Sequence, residues 1–189
     1  MPRTEKQFEE IREIRKEQIK DVALAIICEE GVQRTSISKI AERAGISKGL
    51  LYNYYESKEE LIKEIMFDGI DRITEVFDPN HDGVLTRDEA IYFINGLFDM
   101  LRSNLRYWRL YFTVMLQPSV MEIIRDKLLE KLDPYTKTIM SYYISNGSDN
   151  PIADTRLVLA ALDGLCFNYV LDPRHFPLED IKKRFYKFI

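Results

Sequence analysis

The fold is decided by residues 36–55, which read Ser36-Ile-Ser-Lys-Ile-Ala-Glu-Arg-Ala-Gly-Ile-Ser-Lys-Gly-Leu-Leu-Tyr-Asn-Tyr-Tyr55. Apolar residues recur at helical spacing on both sides of Gly45, and Ser47 is a preferred helix N-cap residue. Glycine at position 45 permits the left-handed turn that joins two short helices. The stretch therefore predicts a helix-turn-helix, in which the second helix enters the major groove of DNA.

Helical periodicity extends in both directions from this stretch. An apolar stripe runs from Phe8 to Ile27 and ends near Gly31, a typical C-cap residue. Ser57 and Glu60 have capping-box spacing and predict a helix that continues to about residue 77. Further helices are expected at about 86–104, 105–116, 118–145, 153–171 and 177–189, with Pro134 as a kink or break in the third of these.

The pattern predicts an all-α protein with two domains. Residues 1–57 form a small N-terminal helical bundle that contains the helix-turn-helix, and residues 58–189 form a larger C-terminal helical bundle. The chain has 189 residues, of which 46% are hydrophobic and 31% charged, so it is long enough to bury a substantial core.

The charge distribution restricts where a nucleic acid could bind. The formal net charge is −4 and the isoelectric point is about 5.4, which excludes a polyanion binder that is basic throughout. Between Arg34 and Lys58, however, five basic and two acidic residues give a local net charge of +3. A phosphate backbone would therefore be attracted to this segment.

Other features favour a cytoplasmic protein that is not an enzyme. Cys28 and Cys166 lie far apart in apolar runs, as expected for reduced thiols. The charged N-terminus does not resemble a signal peptide, and the longest apolar stretch, 157–171, is shorter than the ~20 residues that span a bilayer. His81 and His175 have no catalytic context, and no phosphate-cradling glycine loop occurs.

The stretch from Thr35 to Leu61 resembles the DNA-binding domain of the TetR/AcrR (tetracycline-repressor) family of transcriptional regulators. The matching residues are Ala41, Ala44, Gly45, Ser47, Gly49, Tyr52, Tyr55, Lys58 and Leu61. The resemblance covers about residues 8–65, whereas the rest of the chain is similar only in length, helix content and helix order. It implies a bacterial homodimeric repressor on a palindromic operator, with a small-molecule effector. Residues 1–57 would then be the three-helix DNA-binding domain and residues 58–189 the ligand-binding and dimerisation domain, with residues 153–171 and 177–189 at the dimer interface.

The same resemblance implies roles for individual side chains. The positions that would contact DNA phosphates are Ser36, Ser47, Tyr52, Tyr54 and Lys58. The positions that would face base edges are Ser38, Lys48, Gly49 and Asn53. The alternative is that the tyrosines pack in a small core, and for Tyr55 that alternative is favoured.

A second motif occupies residues 78–89 and has the spacing of an EF-hand calcium loop. Its Ca²⁺ ligands would be Asp78, Asn80, Asp82, the carbonyl of Val84 and a bidentate Glu89, with Gly83 at the sharp turn. The alternative is a solvated linker that is rich in turn residues. A single loop predicts a modest dissociation constant, on the order of 10⁻⁵–10⁻³ M. If the loop binds calcium, the alternative function for the chain is that of a calcium sensor.

The C-terminal helices are rich in aromatic residues, most of which are expected to pack in a core. A ligand pocket needs apolar walls and few polar groups. The candidate residues are Asn104, Trp108, Tyr111, Phe112 and Phe167, and they favour an apolar or aromatic small molecule. Asp163 and Asn168 lie in an apolar helix and need polar partners, which could be in the pocket or across a dimer interface.

Overall fold

The structure, a computed structural model, describes residues 5–77, 82–187 and 189. These residues form α-helices joined by turns, with no β-strand among them, which confirms the predicted all-α class. The helices are α1 (Glu5–Glu30), α2 (Ile37–Arg43), α3 (Lys48–Tyr52), α4 (Lys58–Thr74), α5 (Arg87–Ser103), α6 (Leu105–Met115), α7 (Pro118–Ser145), α8 (Pro151–Leu171) and α9 (Leu178–Phe185). One 3₁₀ turn, Val32–Arg34, follows α1.

Three serine side chains start helices α2, α3 and α4 as the sequence predicts. The hydroxyl oxygens of Ser36, Ser47 and Ser57 each accept a hydrogen bond from the amide three residues later, at 3.3, 3.1 and 3.0 Å. Each bond satisfies one of the amide groups that a helix start leaves without a partner. The Glu60 carboxylate accepts from the amide of Glu56 at 2.6 Å, one residue earlier than a capping box requires.

The chain is divided into two compact units. The first contains the residues up to Asp68 together with Leu110–Ile124, and the second contains Gly69–Arg109 and Arg125–Ile189. This division does not follow the expected domain boundary between residues 57 and 58. The first unit includes the start of α4, the end of α6 and the start of α7.

Gln117 explains why a distant segment belongs to the first unit. Its side-chain amide donates to the carbonyl of Ile27 at 3.1 Å and accepts from the amide of Val32 at 3.3 Å. Both groups lie where α1 ends at Gly31, whose φ of +81° suits glycine. One side chain therefore satisfies two main-chain groups at the end of α1.

A cluster of charged side chains joins α1 to α4 in the first unit. The Lys20 ammonium is largely buried and is paired with Glu17 at 2.5 Å, with Glu64 at 3.7 Å and with Asp68. Burial alone would lower the pKa of Lys20, but the hydrogen bonds to Asp68 and Glu17 outweigh it and raise the pKa above its ordinary value. Lys20 is therefore charged whenever the chain is folded near neutral pH.

Aromatic side chains form much of the core of the second unit. The ring of Phe77 packs edge to face against Phe93 and Tyr135, at centroid distances of 5.2 and 5.3 Å. Phe98 packs against Tyr169 in the same way at 5.5 Å. Such pairs add to the apolar area that the rings remove from water. The expected packing of most aromatic residues is found here.

Helix α7 does not break at Pro134. It runs from Pro118 to Ser145 with the proline inside it, which confirms the predicted helix and contradicts a break, one of the two outcomes expected at Pro134. Proline removes a hydrogen bond and costs ~3 kcal/mol in a helix. Leu128 and Ile139 are buried on either side of it, and their packing offsets this cost.

Helix α9 is shorter than expected. It ends at Phe185, and the Arg87 guanidinium donates to the carbonyls of Tyr186 and Ile189 beyond its last residue. Leu178 and Phe185 are buried inside the second unit, so they do not offer the apolar surface expected for a partner. Residue 188 lies outside the described residues.

The two cysteines differ in burial, since Cys28 is partly exposed and Cys166 is buried. Cys28 and Cys166 are both free thiols, and burial raises the pKa of Cys166 to about 12. Within the same described ranges, no helix combines the length and the apolar character that crossing a membrane requires.

Candidate nucleic-acid interface

Helices α2 and α3 are joined by the tight turn that the sequence predicts. Gly45 has a φ of +66°, in the left-handed region that glycine enters without strain. The amide of Ile46 donates to the carbonyl of Ala41 at 3.0 Å and closes the turn. Ile40 and Leu51 are fully buried beneath it, so the crossing of the two helices is fixed by packing.

The four residues predicted to face base edges are all exposed. They are Ser38, Lys48, Gly49 and Asn53. Lys48 and Gly49 open α3, and Asn53 follows its last residue. Ser38 lies on α2, so the donors and acceptors of the four residues are accessible on two neighbouring helices.

The residues predicted to contact phosphates differ in how they are placed. Tyr52 is 46% exposed, whereas Tyr54 is only partly exposed. Ser36 and Ser47 are exposed, and their hydroxyl oxygens already accept the capping bonds of α2 and α3. A hydroxyl that accepts a bond can still donate its proton to a phosphate.

The Lys58 side chain forms hydrogen bonds within the protein. Its ammonium group donates to the carbonyls of Val32 and Thr35, at 2.8 and 3.1 Å. An ammonium has three protons, so one donor is not used by these bonds. Sequence reasoning did not identify this structural function, because the two carbonyls lie 26 and 23 residues away.

Tyr55 is a core residue, as favoured from the sequence. It is 1% exposed, and its hydroxyl donates to Glu64 at 3.1 Å. Burial and the negative charge of Glu64 raise the pKa of its hydroxyl.

Two cations of α2 are paired with carboxylates at the end of α1. Arg43 binds Glu29 through two nitrogens, at 2.7 and 3.2 Å, and Lys39 contacts Glu30 at 2.5 Å. The hydrogen bonds from Arg43 lower the pKa of Glu29. When both glutamates are counted, the segment 29–58 has a net charge of only +1. The positive charge inferred from the segment 34–58 alone is therefore largely balanced by α1.

Two cations lie over tyrosine rings at the end of α3 and just after it. The Lys48 ammonium is 5.8 Å from the centre of the Tyr52 ring. The Arg12 guanidinium is 5.4 Å from the centre of the Tyr54 ring. Arg12 was not identified from the sequence, because it precedes the helix-turn-helix by more than twenty residues and only the fold brings it to Tyr54.

The residues predicted to line a ligand pocket are divided between the two units. In the first unit, Tyr111 is fully buried and Phe112 packs edge to face against it at 5.8 Å. In the second unit, Trp108 is buried and Phe167 is partly exposed.

Asn104 has a local function that the pocket prediction did not include. It is exposed in the second unit, and its side-chain oxygen accepts from the amide of Tyr107 at 3.1 Å. That bond makes Asn104 a cap for the start of α6.

An open cleft of about 410 Å³ lies in the second unit near the start of α9. Its walls include Arg102, Tyr169, Phe176, Leu178 and Glu179. None of the five residues predicted for the pocket lines this cleft, which has a mixed polar and apolar wall.

The predicted calcium loop is only partly described. Asp78 and Asn80 lie outside the described residues, whereas Asp82, Gly83, Val84 and Glu89 are described. Gly83 has a φ of +73°, as the sixth position of such a loop requires. In the described ranges, no group of three or more His, Cys, Asp or Glu side chains is arranged to hold a metal ion.

The last part of the loop is organised by the start of α5. Thr86 is the N-cap residue, and its amide and hydroxyl both donate to one carboxylate oxygen of Glu89, at 2.8 and 2.7 Å. Asp82 accepts from the amide of Val84 at 2.8 Å. Glu89 thus has a helix-capping function that sequence reasoning did not assign to it.

The helix-turn-helix segment is similar to a known family of regulators. Residues 19–65 match the model described as "Bacterial regulatory proteins, tetR family". The chain is 25% identical over 178 residues to the "Fatty acid metabolism regulator protein" of Bacillus subtilis, covering 85% of this chain and 86% of that protein. It is 24% identical over 180 residues to the "Biofilm operon icaADBC HTH-type negative transcriptional regulator IcaR" of Staphylococcus epidermidis, covering 90% and 92%.

A solved structure shares the fold over nearly the whole chain. It is the transcriptional regulator FadR from Bacillus subtilis in complex with stearoyl-CoA. The TM-score is 0.65 at 20% identity, covering 90% of this chain and 95% of that chain.

The turn at Gly45, the exposed face of α3 and the match over residues 19–65 together define a helix-turn-helix transcriptional regulator. Over residues 19–65 the chain is similar to the tetR family of bacterial regulatory proteins.

Proposed function

We propose that the chain is a homodimeric repressor that binds a palindromic operator and releases it when a small apolar ligand binds. The observation that carries the proposal is the closed turn at Gly45, which presents the exposed polar residues of α3 on a rigid support. A dimer with two such helices would read two half-sites related by two-fold symmetry.

The roles of individual residues follow from the chemistry of their side chains. Lys48 can donate to guanine O6 and N7, and Asn53 can pair with adenine. Tyr52 and Tyr54 carry hydroxyl donors for phosphates, and Lys58 has one proton beyond those bound by Val32 and Thr35. Base contacts would determine the sequence preference, and phosphate contacts would fix the position of the protein on the duplex.

The proposed dimer interface centres on one exposed face of α8. Leu157 and Leu171 are large apolar residues with exposed fractions of 61% and 51%, and seven-residue spacing places them on the same face of the helix as Gly164. A methyl group at Gly164 would meet nothing within 4 Å, so a partner helix could approach closely there. Burying such a surface against a second copy would remove a large apolar area from water.

A fatty acyl-CoA is the first effector to test. The structural neighbour FadR is described in complex with stearoyl-CoA, and a relative of similar length is a regulator of fatty acid metabolism. An acyl chain is the type of apolar ligand that was expected from the aromatic residues of the C-terminal helices.

The test has two stages. The full chain first selects duplexes from a random-sequence library, and we expect a palindromic sequence to be enriched. Stearoyl-CoA is then added to the complex with the selected duplex, with coenzyme A and an octanoyl-CoA as controls. Release by the long acyl chain alone supports the proposal, whereas enrichment of no duplex contradicts DNA binding. Release by none of the three compounds contradicts the acyl-CoA effector and leaves DNA binding supported.

We also propose that the loop 78–89 binds a calcium ion as an accessory to this function. The φ of Gly83 and the start of α5 directly after Thr86 both fit the spacing of the motif. A calcium ion would have to share the Glu89 carboxylate with Thr86. Isothermal titration of calcium into the wild-type chain and into Glu89→Gln tests this, with Asp88→Asn as the control because position 88 is not a ligand position. Equal heats for the three proteins would contradict the proposal.

A further inference from the structure

The N-terminal part of α1 extends beyond the segment that the family model matches. That match begins at residue 19, where the first fully buried side chain of the helix, Ile19, also lies. Residues 6–14 are all exposed. The core of the first unit therefore does not explain why the helix begins at Glu5.

Within this extension, Arg12 contacts Tyr54, which lies just after the end of α3. Its guanidinium carbon lies 5.4 Å from the centre of the Tyr54 ring. Tyr52, which precedes Tyr54 by two residues, has the Lys48 ammonium over its ring. The end of α3 thus has two tyrosines, each with one cation over its ring.

The neighbouring cations are bound to other groups. Lys39 and Arg43 are paired with glutamates at the end of α1, and Lys58 donates to two carbonyls. Lys16, one turn after Arg12, contacts Glu64 at 3.3 Å. In the part of the chain that the structure describes, Arg12 is exposed and is not paired with a carboxylate.

We propose that Arg12 binds a DNA phosphate beside Tyr54, so that the DNA-binding surface extends onto the first turns of α1. A guanidinium that stacks on an aromatic ring uses its flat face and keeps its in-plane N–H donors for an anion. Those donors match the geometry of a phosphate. The inference rests on the proposed function, since it assumes that α3 binds DNA.

A contact of this kind differs from a structural contact with Tyr54 alone. Stacking at an exposed site would stabilise the helix but would not change how DNA affinity depends on salt. Neutralising one phosphate adds about 0.9 to the slope of log affinity against log salt, because counterions are released. The salt slope therefore distinguishes the two explanations.

The experiment compares wild type, Arg12→Ala and Arg12→Lys on the duplex that wild type selects from the random library. Lys127→Ala is the matched control, because it removes one exposed positive charge from α7. Affinity is measured by fluorescence anisotropy between about 50 and 200 mM salt. Circular dichroism first establishes that every variant has wild-type helix content.

We expect Arg12→Ala to weaken binding by roughly three- to tenfold and to reduce the salt slope by about 0.9. Arg12→Lys should keep the slope, and Lys127→Ala should match wild type. An unchanged slope for Arg12→Ala, or an equal loss for Lys127→Ala, would overturn the proposal. If wild type selects no duplex, the proposed function fails, which is a different result from normal wild-type binding with an unaffected Arg12→Ala.

Discussion

The hydroxyl of Tyr111 donates a 2.8 Å hydrogen bond to the main-chain carbonyl oxygen of Met66. Both side chains are fully buried. Met66 lies on the part of α4 that belongs to the first unit, and Tyr111 lies in the segment 110–124 that returns to that unit. The bond therefore helps to hold the returning segment against α4 within the first unit.

Tyr111→Phe removes this bond while keeping the ring. We expect the free energy of unfolding to fall by about 1 kcal/mol, because a buried carbonyl loses a donor. Urea denaturation measures the change. Tyr92→Phe is the control, since Tyr92 is 57% exposed and its change should be near zero. Equal stabilities for the two variants would contradict the importance of the bond.

Lys58→Ala should destabilise the protein even without DNA. Two hydrogen bonds to the carbonyls of Val32 and Thr35 are lost, which predicts a loss of about 1–2 kcal/mol in urea denaturation. Lys63→Ala removes the same charge from the next turn of α4 and serves as the comparison. If Lys58→Ala is no less stable than Lys63→Ala, the internal hydrogen bonds of Lys58 contribute nothing to the free energy of unfolding.

Leu157→Glu should dissociate the proposed dimer without unfolding the protomer. Leu157 is 61% exposed on α8, so a charge is tolerated in the protomer but would be buried against a partner. Sedimentation velocity should show a shift from dimer to monomer. Leu129→Glu places the same charge on a residue of α7 that is 58% exposed, and it should remain dimeric. A dimeric Leu157→Glu would place the interface elsewhere.

Asp163→Asn should stabilise the protein at neutral pH. Desolvation raises the pKa of the Asp163 carboxyl, although the residue as a whole is exposed on α8. The folded chain therefore binds this proton more tightly than the unfolded chain, and stability falls as the pH rises through the interval between the ordinary and the raised pKa.

Asparagine is neutral at every pH, so the advantage of Asp163→Asn over wild type should be largest above the raised pKa. This advantage should disappear as the pH falls to the ordinary pKa of an aspartate, about 3.9. Thermal unfolding from pH 7 to about pH 4 measures this, with Asp126→Asn as a control on α7. A constant difference across that range would contradict the assignment.

Features that depend on neighbouring residues could be predicted from the sequence. Ser47 caps α3 and Gly45 takes a left-handed conformation because each responds to groups within four residues. The same locality explains why the helix-turn-helix and most helix starts were identified correctly.

Features that depend on packing could not be predicted in this way. Arg43 donates to the carboxylate of Glu29, fourteen residues earlier, and Lys58 donates to the carbonyl of Val32, twenty-six residues earlier. Only the fold determines the relative position of these elements. Phe185 belongs to an apolar stripe that could face either a partner or the interior, and the structure buries it. Periodicity indicates that a face is apolar but not what covers it.

The pairing of Lys39 and Arg43 with glutamates affects how the protein would search a chromosome. Each cation that is already neutralised contributes little to binding at arbitrary sequences, where attraction to phosphates supplies nearly all of the affinity. A genome offers on the order of 10⁶–10⁹ such competing sites. A regulator with few available cations binds these competing sites more weakly. Fewer molecules per cell are therefore needed to keep one operator occupied.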